Sequence, residues 1–125
     1  MARSPNSCMG DCDIIDVARR DSMDISYKAE NGGICAELSG ELDEYSAEYV
    51  RLSLDDLLNK NLSLKKLVLD FSGVSFMDST GIGMLLGRYN KFTKNDISIF
   101  IKNPTSYVNR IFEMTGIYQI IPKVC

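Results

Sequence analysis

The chain has 125 residues, a formal net charge of -3, 45% hydrophobic and 25% charged residues, which suits one globular domain. It contains no histidine, and this excludes Ser-His-Asp and Cys-His catalysis together with the commonest metal ligand. No basic tract points to nucleic acid, and the apolar runs are only a few residues long, far short of a membrane span.

In chain order, residues 1–22 differ from the rest: they hold Ser4, Pro5, Asn6, Gly10 and several Asp, with little periodicity and no apolar segment of the secretory kind. They read as an N-terminal extension or a misassigned start, with Met23 the alternative initiator. Cys8 and Cys12 lie close together, but no second close pair completes a zinc site. With Cys35 and Cys125 they are expected to be reduced, unliganded thiols in a reducing compartment, which makes the expected location cytoplasmic.

From Met23 the pattern becomes regular. Residues 25–29 alternate as a half-buried strand, Asn31-Gly32-Gly33 signals a hairpin turn, and residues 34–38 form the return strand. Gly40-Glu41-Leu42-Asp43 reads as a loop. A helix is expected from about Ser46, with Ala47, Val50, Leu54, Leu57 and Leu58 on one face. Residues 66–71 are apolar at successive positions, as in a central strand covered on both sides. A second helix is expected from about Thr80 to Lys94, carrying Ile82, Leu85, Leu86, Tyr89 and Phe92 in one stripe. Ile97, Ile99 and Ile101 alternate as a fourth strand. Asn103-Pro104 predicts the next helix start, with Asn as cap and Pro at the first helical position; Tyr107, Val108, Ile111 and Phe112 form its expected buried stripe, and Gly116 predicts its end. Residues 117–121 are expected to form a last strand. The order β-β-α-β-α-β-α-β over residues 23–125 implies a single α/β domain. Its sheet is mixed but mostly parallel, with an antiparallel hairpin at its N-terminal edge.

The stretch from Phe76 to Gly83 carries the chemistry. It places Asp78-Ser79-Thr80 where a strand ends and a helix begins, at backbone N–H groups that lack helical partners. Ser79 is either a plain cap or a residue whose modification matters. Asp78 and Thr80 can cap by themselves, and Phe76 and Met77 are large apolar residues where a surface loop is expected, a candidate contact patch. Gly81 and Gly83 strip side chains from the first turn and permit close approach. Gly87 comes one place too late to complete G-x-G-x-x-G, which argues against a dinucleotide site. Gly83 and Gly87 share a helix face, either for close packing on the sheet or as a flat strip for a partner. Asp43, Asp70 and Asp78 lie near strand and loop ends. The first strand, however, ends in Glu30-Asn31 alone, without the acidic cluster of a receiver domain.

Asp70, Val74 and the run Phe76-Met77-Asp78-Ser79-Thr80-Gly81-Ile82-Gly83 resemble the signature of STAS domains of the anti-sigma factor antagonist type. Gly40-Glu41-Leu42-Asp43 followed by Ala47-Glu48 is similar to that family's other hallmark loop. Leu86-Gly87-Arg88-Tyr89 resembles the sporulation branch, which antagonises anti-sigma F factors, more than the general-stress branch. Residues 110–117 look like the family's C-terminal helix and turn, and the likeness spans roughly residues 23–122. Glu44-Tyr45, where sporulation members often carry histidines, and the extension before Met23 depart from that branch.

The resemblance implies a regulator without catalytic activity, resident metal or cofactor. Its unphosphorylated form would bind an anti-sigma factor that is also a serine kinase, and so release the sigma factor. That kinase would spend its ATP on Ser79, and a PP2C-type phosphatase would reset the switch. Asp43, Met77, Asp78, Ser79, Thr80, Gly81, Ile82 and Gly83 are the expected partner-binding residues. A phosphate on Ser79 would carry about -1.5 to -2 charges. It is expected to meet free N–H groups at the helix start, so that the fold tolerates it and the partner interface does not. Two alternatives stay open: a general-stress antagonist of the same fold, and a small-molecule or nucleotide sensor using the Gly81–Gly83 loop.

Overall fold

The computed structural model describes residues 23–30, 32–60 and 63–124. Strand β1 (Met23–Glu30) pairs antiparallel with β2 (Gly33–Leu42), from Met23 opposite Gly40 to Glu30 opposite Gly33. Gly32 sits in the connection at φ 75°, while Asn31, the other half of the turn signal, lies outside the described residues. Strand β3 (Lys66–Met77) pairs parallel with β2, β4 (Ser98–Lys102) parallel with β3, and β5 (Lys123–Val124) parallel with β4. The sheet order β1-β2-β3-β4-β5 follows the chain.

Strand β3 runs past its expected end at Phe71. Register shifts between Glu37 and Ser39 and between Gly40 and Glu41 let β2 stay paired with it as far as Leu42 opposite Met77. These irregularities carry two polar loops out from one end of adjacent strands. At the other end of β2, Gly33 meets the neighbouring backbone: a Cβ there would lie 2.2 Å from the Lys66 carbonyl oxygen. Because that atom is main chain, it cannot rotate away. Gly33→Ala is expected to lower stability by about 1–3 kcal/mol, an overpacking cost, measurable as a fall in melting temperature by circular dichroism.

Helix α1 (Ala47–Lys60) buries Val50, Leu54, Leu57 and Leu58, and α2 (Ser79–Thr93) buries Met84, Leu85 and Phe92. Helix α3 (Ser106–Thr115) buries Val108 and Phe112. All of these join Leu67, Leu69 and Phe71 of β3 in one core. Phe112 is the hub of an aromatic group, 5.2 Å from Phe71 and 5.6 Å from Tyr118, both edge-on. Between the first two helices, Asp55 accepts Arg88 of α2, Arg51 of its own helix at 3.5 Å and Lys91 at 3.4 Å. The Asp55 and Arg88 side chains are both largely buried, so this ion cluster ties α1 to α2 more firmly than a surface pair would.

Gly40, Glu41 and Leu42, expected in a loop, are the last residues of β2, held there by the extended pairing with β3. Three further sequence expectations shift. Among the described residues the helices cover one face of β3: Val68, and Cys35 of the neighbouring β2, are buried but lie outside the core cluster, on the opposite sheet face. Long charged chains screen that face instead, with Lys28 3.0 Å from Glu37 and Lys102 3.9 Å from Glu30. Asn103 is no helix cap. It turns the chain at φ 52°, and Thr105 caps α3, accepting the Val108 N–H at 3.3 Å. Residues 117–121 do not form a strand. Gly116 ends α3 at φ 75°, and Ile117–Gln119 form a 3-10 turn closed by N–H donation from Ile120 to the Ile117 carbonyl at 2.9 Å, with the Ile121 N–H donating to the same carbonyl at 2.8 Å. Ile117 and Ile121 therefore both reach the core as positions four apart, a spacing that a strand with odd positions inward would also satisfy. Among the described residues no helix is long and apolar enough to cross a membrane.

Candidate functional site

The β2–α1 and β3–α2 loops lie side by side. Leu42 pairs with Met77, and the Asp78 N–H donates to the Leu42 carbonyl at 3.3 Å. This brings Asp43 and Asp78, distant in sequence, to the same end of the sheet. Loops leaving the C-terminal ends of neighbouring parallel strands form the usual functional edge of an α/β sheet.

Each loop is organised by its own aspartate. Asp43 Oδ1 accepts the N–H groups of Tyr45 at 3.0 Å and Ser46 at 3.1 Å, and its carbonyl accepts the Ala47 N–H at 2.9 Å. The fully buried Ser46 donates its hydroxyl to the Glu41 carbonyl at 2.6 Å and accepts the Asp43 N–H at 3.0 Å. Ser46 thus closes the turn that starts α1, which is why the helix begins at Ala47. A serine with this structural role is not distinguishable in sequence from a surface one.

In the second loop Asp78 is the helix cap. Its Oδ1 accepts the N–H of Thr80 at 3.0 Å and of Gly81 at 3.1 Å. Ser79 is the first helical residue and is exposed, so its hydroxyl is not needed to hold the helix end. Thr80, the other candidate cap, joins through its N–H rather than its hydroxyl, and it too is exposed. The cap also changes the expectation for a phosphate on Ser79. Two of the N–H groups that were to receive it, those of Thr80 and Gly81, already donate to Asp78, which would also set a carboxylate beside the phosphate. Asp78→Ala is expected to cost about 1 kcal/mol through loss of the cap, read as a lower denaturation midpoint with an unchanged folded spectrum.

The remaining expected contact residues divide by burial. Met77 is 2% exposed and belongs to the core, so its side chain does not reach a partner. Its neighbour Phe76 is the exposed one of the two, at 40%. Gly81 is buried: a Cβ would lie 3.0 Å from Leu42 Cγ, 3.1 Å from the Leu42 carbonyl oxygen and 3.1 Å from Met77 Cγ. Its role is to let α2 start hard against β2. Ile82 is half-buried and Gly83 exposed. A Cβ at Gly83 or Gly87 would meet nothing within 4 Å, so these glycines do not mark close packing on the sheet; they leave an open strip.

Among the described residues these two loops form no phosphate cradle. Two of the first-turn N–H groups of α2 are capped by Asp78, and the loops contribute carboxylates rather than cations. The arrangement offers a surface hydroxyl on a rigid, internally capped helix start.

The family model for the STAS domain matches residues 24–125, the whole of the sheet and its helices. This chain belongs to the STAS domain family. Two relatives share its length as well as its sequence. An anti-sigma F factor antagonist of Paenibacillus polymyxa is 29% identical over 101 residues, covering 81% of this chain and 86% of the relative. An anti-sigma-B factor antagonist of Bacillus subtilis (strain 168) is 31% identical over 100 residues, covering 80% and 89%. The solved structure of the anti-sigma factor antagonist SpoIIAA in its unphosphorylated form superposes with a TM-score of 0.68 at 22% identity, over 82% of this chain and 89% of that one. At that identity the superposition speaks for the fold. This STAS domain therefore has the same layout of strands and helices, with the Asp43 and Asp78 loops at one end of its sheet.

Proposed function

We propose that this STAS domain is an anti-sigma factor antagonist whose binding is switched off by phosphorylation of Ser79. The observation that carries the reading is the exposure of Ser79 at the start of a helix already capped by Asp78, in a chain whose full-length relatives bear antagonist names. The unphosphorylated domain binds an anti-sigma factor serine kinase and displaces the sigma factor. The kinase then transfers the γ-phosphoryl group of ATP to the Ser79 hydroxyl, releasing ADP, and a PP2C-type phosphatase hydrolyses the ester. The domain itself catalyses nothing and works in the cytoplasm.

A free hydroxyl suits this role because the kinase must reach it without unfolding the helix. The dianion suits an off-switch because it adds charge beside Asp78 and finds those two cap N–H groups taken. Burying it unpaired in an interface costs several kcal/mol. Asp43, Asp78, Thr80, Ile82 and Gly83 form the contact surface around Ser79, while Gly81 and Met77 hold its shape from within.

A sporulation circuit is the first reading, supported by the Leu86-Gly87-Arg88-Tyr89 stretch and the sigma F relative; the sigma B relative favours a general-stress circuit as the second. Mixing the domain with each preformed anti-sigma–sigma complex of its own organism, followed by size-exclusion chromatography, decides between them. Release of sigma from one complex identifies the circuit. Release from neither, with both complexes active in sigma inhibition, overturns the function.

A further inference from the structure

Phe76 and Tyr107 stack with ring centroids 6.2 Å apart and planes inclined by 22°, yet they remain 40% and 46% exposed. They come from different elements, the end of β3 and the first turn of α3. A hydrogen bond from the Thr105 hydroxyl to the Val74 carbonyl at 3.2 Å pins the start of α3 to β3, so the pair is preorganised. Two stacked aromatics left half in water cost the free domain solvation that a partner recovers, and preorganised aromatic anchors are the usual centres of interfaces.

The apolar surface does not stop at the pair. Tyr107, the half-buried Ile111 and Met114 follow one another at spacings of four and three along α3, and Met114 is 77% exposed. This places a second apolar stripe on α3 beside the one that Val108 and Phe112 bury, about a third of a turn away. At its other end, Phe76 leads through the paired Met77 and the cap Asp78 directly to Ser79.

We infer that the Phe76–Tyr107 pair, extended along α3 to Met114, is a hydrophobic anchor for the same anti-sigma factor that Ser79 controls, seated in an apolar pocket on that partner. The inference rests on the function proposed above. The exposed aromatic platform, pinned by the Thr105–Val74 hydrogen bond, begins three residues before the switch serine, at the end of the strand that leads into it. The anchor supplies affinity and register, whereas Ser79 supplies control. A partner held at both points would have the Ser79 hydroxyl presented to its own active site.

The test is calorimetric titration of the full chain and its variants into the anti-sigma factor kinase with ADP, alongside sedimentation of each variant alone. Tyr107→Ala is expected to weaken binding at least tenfold, Met114→Ala by less, and Tyr107→Phe to restore most of the affinity. Leu52→Ala, an exposed apolar residue of α1 outside the stripe, is the control and should bind as the native chain does. Phosphorylated native protein should fail to bind with the anchor intact. Native binding with an unaffected Tyr107→Ala overturns the anchor and leaves the switch standing; no native binding overturns the function on which it rests. Self-association of the native chain that Tyr107→Ala dissolves, without loss of kinase affinity, assigns the stripe to a second copy and also overturns the inference.

Discussion

Ser79→Asp is expected to reduce affinity for the anti-sigma factor about a hundredfold or more while leaving the domain folded. The two halves of that result have separate causes. Folding is spared because Ser79 is exposed and the helix end is held by Asp78, whose carboxylate accepts the Thr80 and Gly81 N–H groups. Binding is lost because the substitution puts a carboxylate into a surface that must be dehydrated. An unpaired buried charge costs several kcal/mol, and each 1.4 kcal/mol is tenfold in affinity, which together give the estimate of about a hundredfold. The position beside Asp78 adds like-charge repulsion. Ser79→Ala, which lacks only the hydroxyl, should bind almost as the native chain does and never accept phosphate. Calorimetric titration measures the affinities and circular dichroism the fold. A Ser79→Asp protein that loses its folded spectrum would assign the effect to the helix rather than to the interface.

The second large effect is on stability. Phe112→Ala is expected to cost about 3–5 kcal/mol, the range for deleting a buried aromatic side chain. Phe112 is fully buried and lies edge-on against both Phe71 and Tyr118, so its removal opens a cavity between β3, α3 and the 3-10 turn. Neighbouring rings cannot collapse into the space without leaving their own contacts. Urea denaturation followed by circular dichroism measures the loss. A cost below about 1 kcal/mol would mean that the C-terminal segment packs less tightly than these contacts indicate. Because α3 carries Tyr107, this variant should also weaken partner binding through misplacement of the anchor.

Much of the architecture was legible from periodicity. The β1–β2 hairpin, the apolar faces of α1 and α2, and the Ile99–Ile101 alternation appear where the sequence put them, since burial on one face imposes a period that few other arrangements satisfy. The misreadings have separate causes. Asn103-Pro104 carries a familiar cap signal, but the cap went to Thr105, whose hydroxyl also bonds the Val74 carbonyl, a long-range partner invisible to local patterning. Residues 117–121 fit both a strand and a single tight turn, and Gly116 in the left-handed region favoured the turn.

The site was legible as a location more than as a set of side chains. Asp78, Ser79 and Thr80 stand at a helix start as expected, and the Leu42–Met77 pairing places the Asp43 loop beside them. Which of two adjacent apolar residues faces water depends on where β3 ends and how its bulges fall. Met77 therefore went inside and Phe76 outside, against the simple expectation that both lie on the surface. The helical pattern put Tyr107 in the buried stripe of α3 with Val108, Ile111 and Phe112, yet it stays 46% exposed, stacked on Phe76 of another element, a partner that local periodicity does not show.

Phosphate mapping tests the central claim most directly. The full chain is incubated with the anti-sigma factor serine kinase of its own organism and ATP, then digested and sequenced by mass spectrometry. One phosphate on Ser79, and loss of kinase binding by the modified protein, is the predicted result. Modification at Thr80 instead, or none by a kinase shown to be active, would contradict the switch and reduce Ser79 to the first residue of an ordinary helix.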